Sequence, residues 1–194
     1  MNAVMDVTTW YLEQTSPADL RPGRPPAMSV QIVRAEVSSP EFSRFLYTAV
    51  GGDWQWTERL GWTWKQWKEC LDRPGVETWV AWVRGTPAGY VELDAREGEV
   101  EIAYFGLLPY AIGQGLGGWL LGEGTARAWD MAERRPGLRP TRRVWVHTCS
   151  LDGPAALANY KARGFRVYDE KLNVPGDEDE GETPGPWPGA GPRD

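Results

Sequence analysis

The chain has 194 residues, 41% of them apolar, with 21 basic residues against 27 acidic ones and a net charge of -6. That fits one domain with a closed core plus tails, and it excludes a dedicated nucleic-acid binder, which needs clustered Lys and Arg to neutralise phosphates. Two cysteines, Cys70 and Cys149, and one histidine, His147, exclude a zinc finger, a Cys/His metal cluster and a disulfide framework, so no metal site is expected. The N-terminus lacks a basic stretch followed by an apolar one, and no run of about 18 apolar residues exists. The reading is therefore a cytoplasmic protein without a membrane span.

The first segment, residues 1–27, reads as an arm followed by a Pro-rich linker, SPADLRPGRPPA. Within the arm, Thr8 to Leu12 is rich in β-favouring residues and either docks as an extended segment or hangs free. The folded domain is expected over 28–173. Val30 to Arg34 is a short strand. Ser39 caps a helix that places Phe42, Phe45, Leu46 and Ala49 on one face and stops at Gly51-Gly52. Residues 53–62 are irregular, and Thr63 to Leu71 is a second helix. Glu77 to Arg84, Ala88 to Ala95 and Val100 to Leu107 are strands joined by Gly-containing turns. Gly115 to Ala132 is a long helix, Arg143 to Cys149 a buried strand, Pro154 to Arg163 a helix ending at Gly164, and Phe165 to Asn173 a last strand. Residues 174–194 are acidic and then rich in Pro and Gly, so they are expected to be disordered, with Trp187 an incidental tail residue.

Short turns make the middle strands antiparallel, and the long helix allows a parallel crossover between the strand ending at Leu107 and the strand starting at Arg143. The expected fold is a mixed, mostly antiparallel α/β sheet with a central parallel pair and helices on both faces.

The sharpest motif is Ile112-Gly113-Gln114-Gly115-Leu116-Gly117-Gly118. It follows a strand and opens the long helix. Glycines let the backbone approach a ligand, and the free N–H groups of a helix start favour a phosphate or pyrophosphate. The spacing of Gly113, Gly115 and Gly118 also satisfies G-x-G-x-x-G. A dinucleotide fold, however, would want an acid at the end of the next strand, which here reads His147-Thr148-Cys149-Ser150. Tight strand–helix packing alone is the bland reading of the same glycines.

This motif, together with Asp152 to Phe165 (DGPAALANYKARGF), resembles the GNAT superfamily of acetyl-CoA-dependent acyltransferases, over about residues 30–173. The chain departs from the family pattern at Ile112, where Gln or Arg is usual, and at Asp152, where Asn is common. The resemblance implies a GNAT-like fold and an N-acetyltransferase moving an acetyl group from acetyl-CoA to an amine by direct attack in a ternary complex. It implies pantetheine contacts at the backbone of Phe105, Gly106 and Leu107, and a pyrophosphate on the loop of Ile112, Gly113, Gln114, Gly115, Leu116, Gly117 and Gly118. It also implies Tyr160 as the acid at the departing thiolate. A homodimer is a family-level expectation, and the partners are a small-molecule or peptide amine, not nucleic acid or membrane.

An amine acceptor is almost wholly protonated at pH 7, since its pKa is about 10.4, so a base must take a proton. Glu101, on a central strand, is the chosen base or water-positioner, against the reading of a solvated carboxylate. His147, on the parallel neighbour, is the rival. Cys149 reads as a buried small apolar residue. Trp54 and Trp56, in a stretch of tryptophans that also includes Trp62, Trp64 and Trp67, are expected to wall the acceptor, while Trp64, Trp67 and Leu71 pack inward. A non-catalytic module binding acyl-CoA or a peptide against an aromatic pocket is the alternative.

Overall fold

The computed structural model describes residues 7–54 and 56–173. The expected disorder of 174–194, and Trp187 within it, lies outside the described residues. Seven strands form one sheet in the order β2-β3-β4-β5-β6-β1-β7. They are β1 (Val7–Gln14), β2 (Gln31–Arg34), β3 (Val76–Val83), β4 (Thr86–Arg96), β5 (Glu99–Leu107), β6 (Arg143–Cys149) and β7 (Arg166–Asn173). The helices are α1 (Pro40–Gly51), α2 (Trp64–Leu71), α3 (Leu116–Trp129), α4 (Met131–Arg134) and α5 (Ala156–Ala162).

Two tight turns build the meander β3-β4-β5. Arg84 and Gly85 lie at φ 49° and 82°, and Glu97 and Gly98 at 52° and 84°. Two successive positive φ values match the twist of antiparallel strands, so each pair closes a two-residue hairpin. The connection from β5 through α3 and α4 is long enough to bring β6 in parallel beside β5. Tyr90 of β4 packs on Leu46 and Val50 of α1. Its neighbour Val91 packs with Leu120 and Leu121 of α3. Adjacent strand residues point to opposite faces, so α1 and α3 cover opposite faces of the sheet, as the mixed α/β reading requires.

Two local features differ from the sequence reading, and the arm takes the docked one of its two alternatives. The N-terminal arm is a full strand, and β1 runs antiparallel to both β6 and β7 in the interior of the sheet. Leu12 is fully buried in the main core, and the buried Gln14 donates to the Arg163 carbonyl and accepts from the Trp129 indole. The sheet therefore begins well before residue 28, because the β-favouring arm has two open strand edges to satisfy. On α1, Ser43, Leu46, Tyr47 and Val50 turn inward, which leaves Phe45, expected inward, 40% exposed. The long helix expected to Ala132 breaks at Asp130 into α3 and α4.

A buried ion pair holds the irregular segment after α1. Arg59 and Glu92 meet at 2.7 Å, both almost fully buried. The guanidinium lies over the Trp62 and Tyr104 rings at 4.6 and 4.4 Å, and the Arg59 N–H donates to the Tyr47 hydroxyl. Because β1 is internal, Leu12→Ala is expected to cost about 2–5 kcal/mol, the range for emptying a core leucine site. Urea unfolding followed by circular dichroism checks this, and a shift within about 0.5 kcal/mol, as for a surface residue, would mean that the arm is not part of the fold.

Candidate active site

β5 and β6 pair only at Glu99–Arg143, Val100–Val144 and Glu101–Trp145. Beyond that point the strands separate. A bulge at Ala103 helps: Leu93 faces Ile102 while Glu92 faces Tyr104, so Ala103 is the extra residue, and a bulge bends its strand. The gap opens a cavity of about 670 Å³. Its walls come from β5, the start of α3, β6, α5 and the segment after α1. Phe105, Gly106 and Leu107 pair with β4 and line the cavity. Backbone N–H and C=O groups alternate in direction along a strand, so every other residue of this stretch turns its pair to the gap that β6 has left, where it is available to a ligand.

The glycine turn opens into the same space. Gly113 and Gly115 sit at φ 81° and 77°, a conformation that side-chain-bearing residues rarely adopt. Helices α1 and α2 are capped by the Ser39 and Thr63 side chains. Helix α3 has Gly115 at its N-cap and no side-chain cap, so its first N–H groups stay free for an anion. Gly113, Gly115, Gly117 and Gly118 line the cavity. Leu116 is buried against Ala88 and Ala111, so it anchors the turn from below. Gln114 donates to the Tyr110 carbonyl at 2.6 Å and does not line the cavity. Ile112 lines it with half its surface exposed and offers no charge. A charge the sequence reading missed stands nearby. The Arg163 guanidinium lies so close to Gly118 that a Cβ there would collide with it. No ion pair engages Arg163 among the described residues, and its Nε is buried without a hydrogen-bond partner.

Tyr160 lines the cavity and is 6% exposed. It packs edge-on against Phe105 and Phe165 at 6.1 and 6.0 Å. Burial, with Asp152 adding, pushes its phenol well above the usual value, so the group stays protonated near neutral pH, where it can donate its O–H and is not a base. Asp152 accepts from the Thr148 hydroxyl at 2.6 Å and from the Cys149 N–H at 3.0 Å. Cys149 is half-buried and lines the cavity, which differs from the fully buried position expected for it. Burial raises its thiol, so the thiolate is disfavoured.

Glu101 and His147 were rivals in the sequence and are neighbours in the structure. The parallel register sets both on the face opposite α3, and Glu101 Oε1 lies 3.4 Å from His147 Nδ1. His147 lines the cavity; Glu101 does not. The carboxylate therefore sits behind the imidazole. The adjoining Glu101 holds the imidazole pKa above its usual 6.5, with the charges of Glu58 and Asp152 adding and burial working against them.

Trp54 and Trp56 both line the cavity. Trp56 is also packed at 5.5 Å from Tyr47 and 5.0 Å from Tyr104, so it is wall and core together. Trp54 lies over Gly153, across the mouth from its own segment. Trp67 is buried as expected, while Trp64 is half-buried and donates to Glu41. Glu58 lines the cavity and accepts from the Tyr104 hydroxyl at 2.9 Å. Its place among the tryptophans was the one signal that pointed to it. Among the described residues no His/Cys/Asp/Glu group could hold a metal ion, and no helix is long and apolar enough to cross a membrane.

The model of the acetyltransferase (GNAT) family matches residues 37–165. Solved structures with a similar fold include the GCN5-related N-acetyltransferase from Sphaerobacter thermophilus, at TM-score 0.58 and 17% identity over 86% of this chain and 50% of that one. The GCN5-related N-acetyltransferase from Kribbella flavida is similar at TM-score 0.57 and 19% identity, over 87% of this chain and 58% of that one. The chain thus spans 50% and 58% of the length of these structures, and at such identities the likeness is one of fold. No curated protein matches the chain.

His147 is the one histidine of the sequence, so its ring protons give a single set of NMR signals. Their pH titration should show a midpoint above 6.5. Glu101→Gln removes the main cause of the shift and should lower that midpoint. An unchanged midpoint would break the pairing.

Proposed function

The chain belongs to the GNAT acetyltransferase family, and from that premise we propose that it is an N-acetyltransferase, moving an acetyl group from acetyl-CoA to an amine by direct attack in a ternary complex. One observation carries the reading: an uncapped, glycine-built helix start and a base–acid set share one cavity, formed where two parallel strands part. Acetyl-CoA supplies the thioester that the amine attacks. The residues fit such a donor. The amides from Gly113 to Gly118 suit a pyrophosphate, and the backbone groups that the stretch from Phe105 to Leu107 turns to the gap suit an amide-containing arm. Arg163 offers the guanidinium that Ile112 lacks.

The amine arrives protonated. His147, when neutral, can take its proton directly or through one water, an effect typically worth 10²–10⁴-fold. Glu101 orients the imidazole and stabilises the imidazolium that forms. Tyr160, nearly buried in the cavity wall, is the residue that would donate to the leaving sulfur. A thiolate has a pKa of about 8.5, and a phenol raised by burial does not fully protonate it, but its O–H can donate a hydrogen bond as charge develops. No observation favours the non-catalytic alternative.

The pH dependence follows from the sign of the His147 shift. The base works when deprotonated, so kcat/KM should rise with pH through a midpoint above 6.5. Glu101→Gln should move that midpoint to lower pH and reduce the plateau, because a less basic and less well oriented imidazole accepts the proton.

Thiol release from acetyl-CoA with pooled amines checks the reading. Tyr160→Phe should lower kcat about 10–100-fold while leaving the KM for acetyl-CoA nearly unchanged. Arg163→Gln should raise that KM about tenfold, the loss expected for one charge-assisted contact. Wild-type protein that releases no thiol with any amine contradicts the function. Unchanged kinetics in both variants would leave the function and remove the residue roles.

A further inference from the structure

The charges around the acceptor end of the cavity are one-sided. Glu58 and Asp152 line it directly, and Glu101 stands behind His147. All three raise the imidazole pKa, so all three fields reach the same point. Among the described lining residues there is no Lys and no Arg. Arg59 follows Glu58 in the chain but is unavailable: it is buried, paired with Glu92 at 2.7 Å and roofed by the Trp62 and Tyr104 rings. Arg163 lies beside Gly118, at the donor end.

An acceptor carrying a carboxylate or phosphate would therefore meet three acidic side chains and, beyond the imidazole of His147, no cationic group among the described lining residues. Like charges brought close together repel. A cation gains in the same place. The uncharged lining here is largely apolar and aromatic, with Trp54 over Gly153 and Trp56 tilted against Tyr104, surfaces that take flat apolar bodies and cations.

Resting on the acetyltransferase reading above, we propose that the acceptor is a primary amine on an apolar, ring-sized body that carries no acidic group, and that Glu58 enforces the exclusion of acids. Free amino acids are thereby rejected in favour of the amines that share their side chains. Glu58 is suited to this role because it lines the cavity and accepts from the Tyr104 hydroxyl at 2.9 Å, which holds the carboxylate at the exposed rim of the site.

The experiment compares matched pairs: tryptamine with tryptophan, tyramine with tyrosine, and phenethylamine with phenylalanine, each with acetyl-CoA and the full chain. The expected result is a kcat/KM for the amine about a hundredfold or more above that of its amino acid. Glu58→Lys should compress that ratio at least tenfold, and Glu58→Gln should compress it less. Acetyl-CoA binding by calorimetry establishes that both variants are folded. Three results would overturn the inference while leaving the acetyltransferase reading intact. They are equal or better use of the amino acids, a ratio unmoved in Glu58→Lys, and thiol release only with acceptors outside these pairs. Wild-type protein that neither binds acetyl-CoA nor releases thiol would overturn both.

Discussion

Past Glu101 and Trp145 the two parallel strands no longer share hydrogen bonds, and the rest of the site depends on that separation. Backbone groups in a sheet are obligatory hydrogen-bonding groups. Where a strand loses its neighbour, its N–H and C=O groups must find water or a ligand. Here the stretch from Phe105 to Leu107 stays paired with β4 and lines the cavity, and its backbone groups alternate between the β4 ladder and the gap. The uncapped start of α3 adds a second set of free donors at the end of the same gap. The polymer thus presents a row of main-chain groups that no side chain has to supply.

A gap in a sheet is stable only if both lips are held. The β5 lip is held by the meander and by the turn of Leu116 into its own small cluster with Ala88 and Ala111. The β6 lip is held from its far side by β1, and β1 in turn reaches α3 and α5 through the two hydrogen bonds of the Gln14 amide. The acceptor-side wall is a loop, yet it does not depend on loop stiffness. The Arg59–Glu92 pair ties it to β4, and the rings of Trp56, Tyr47 and Tyr104 pack tilted and edge-on against one another beside it. Removing one member of a buried pair leaves an unpaired charge, which is why such contacts fix geometry.

Much of this was legible in the residues, and the reason differs from element to element. Strands β3 to β6 and helices α1, α2 and α5 follow from local period, turn chemistry and caps, all of which act within a few residues. The glycine turn was legible because positive φ demands glycine. The place of β1 was not, because a strand's neighbours are chosen by the whole sheet and not by the strand. The bulge at Ala103 leaves no local mark either. Glu101 and His147 each looked plausible alone, and only the parallel register, a long-range fact, makes them one pair. Arg163 was hidden for the same reason: nothing in a late helix announces that its last guanidinium lies on the first turn of another.

On the proposed reading, bare main-chain amides at the head of α3 and along the parted edge of β5 receive the acyl donor. Amide chemical-shift mapping of the full chain during titration with acetyl-CoA is the sharpest test. The largest shifts should fall on Gly113 to Gly118 and on Phe105 to Leu107, saturating together. Saturable shifts centred elsewhere, with those amides unmoved, would contradict it.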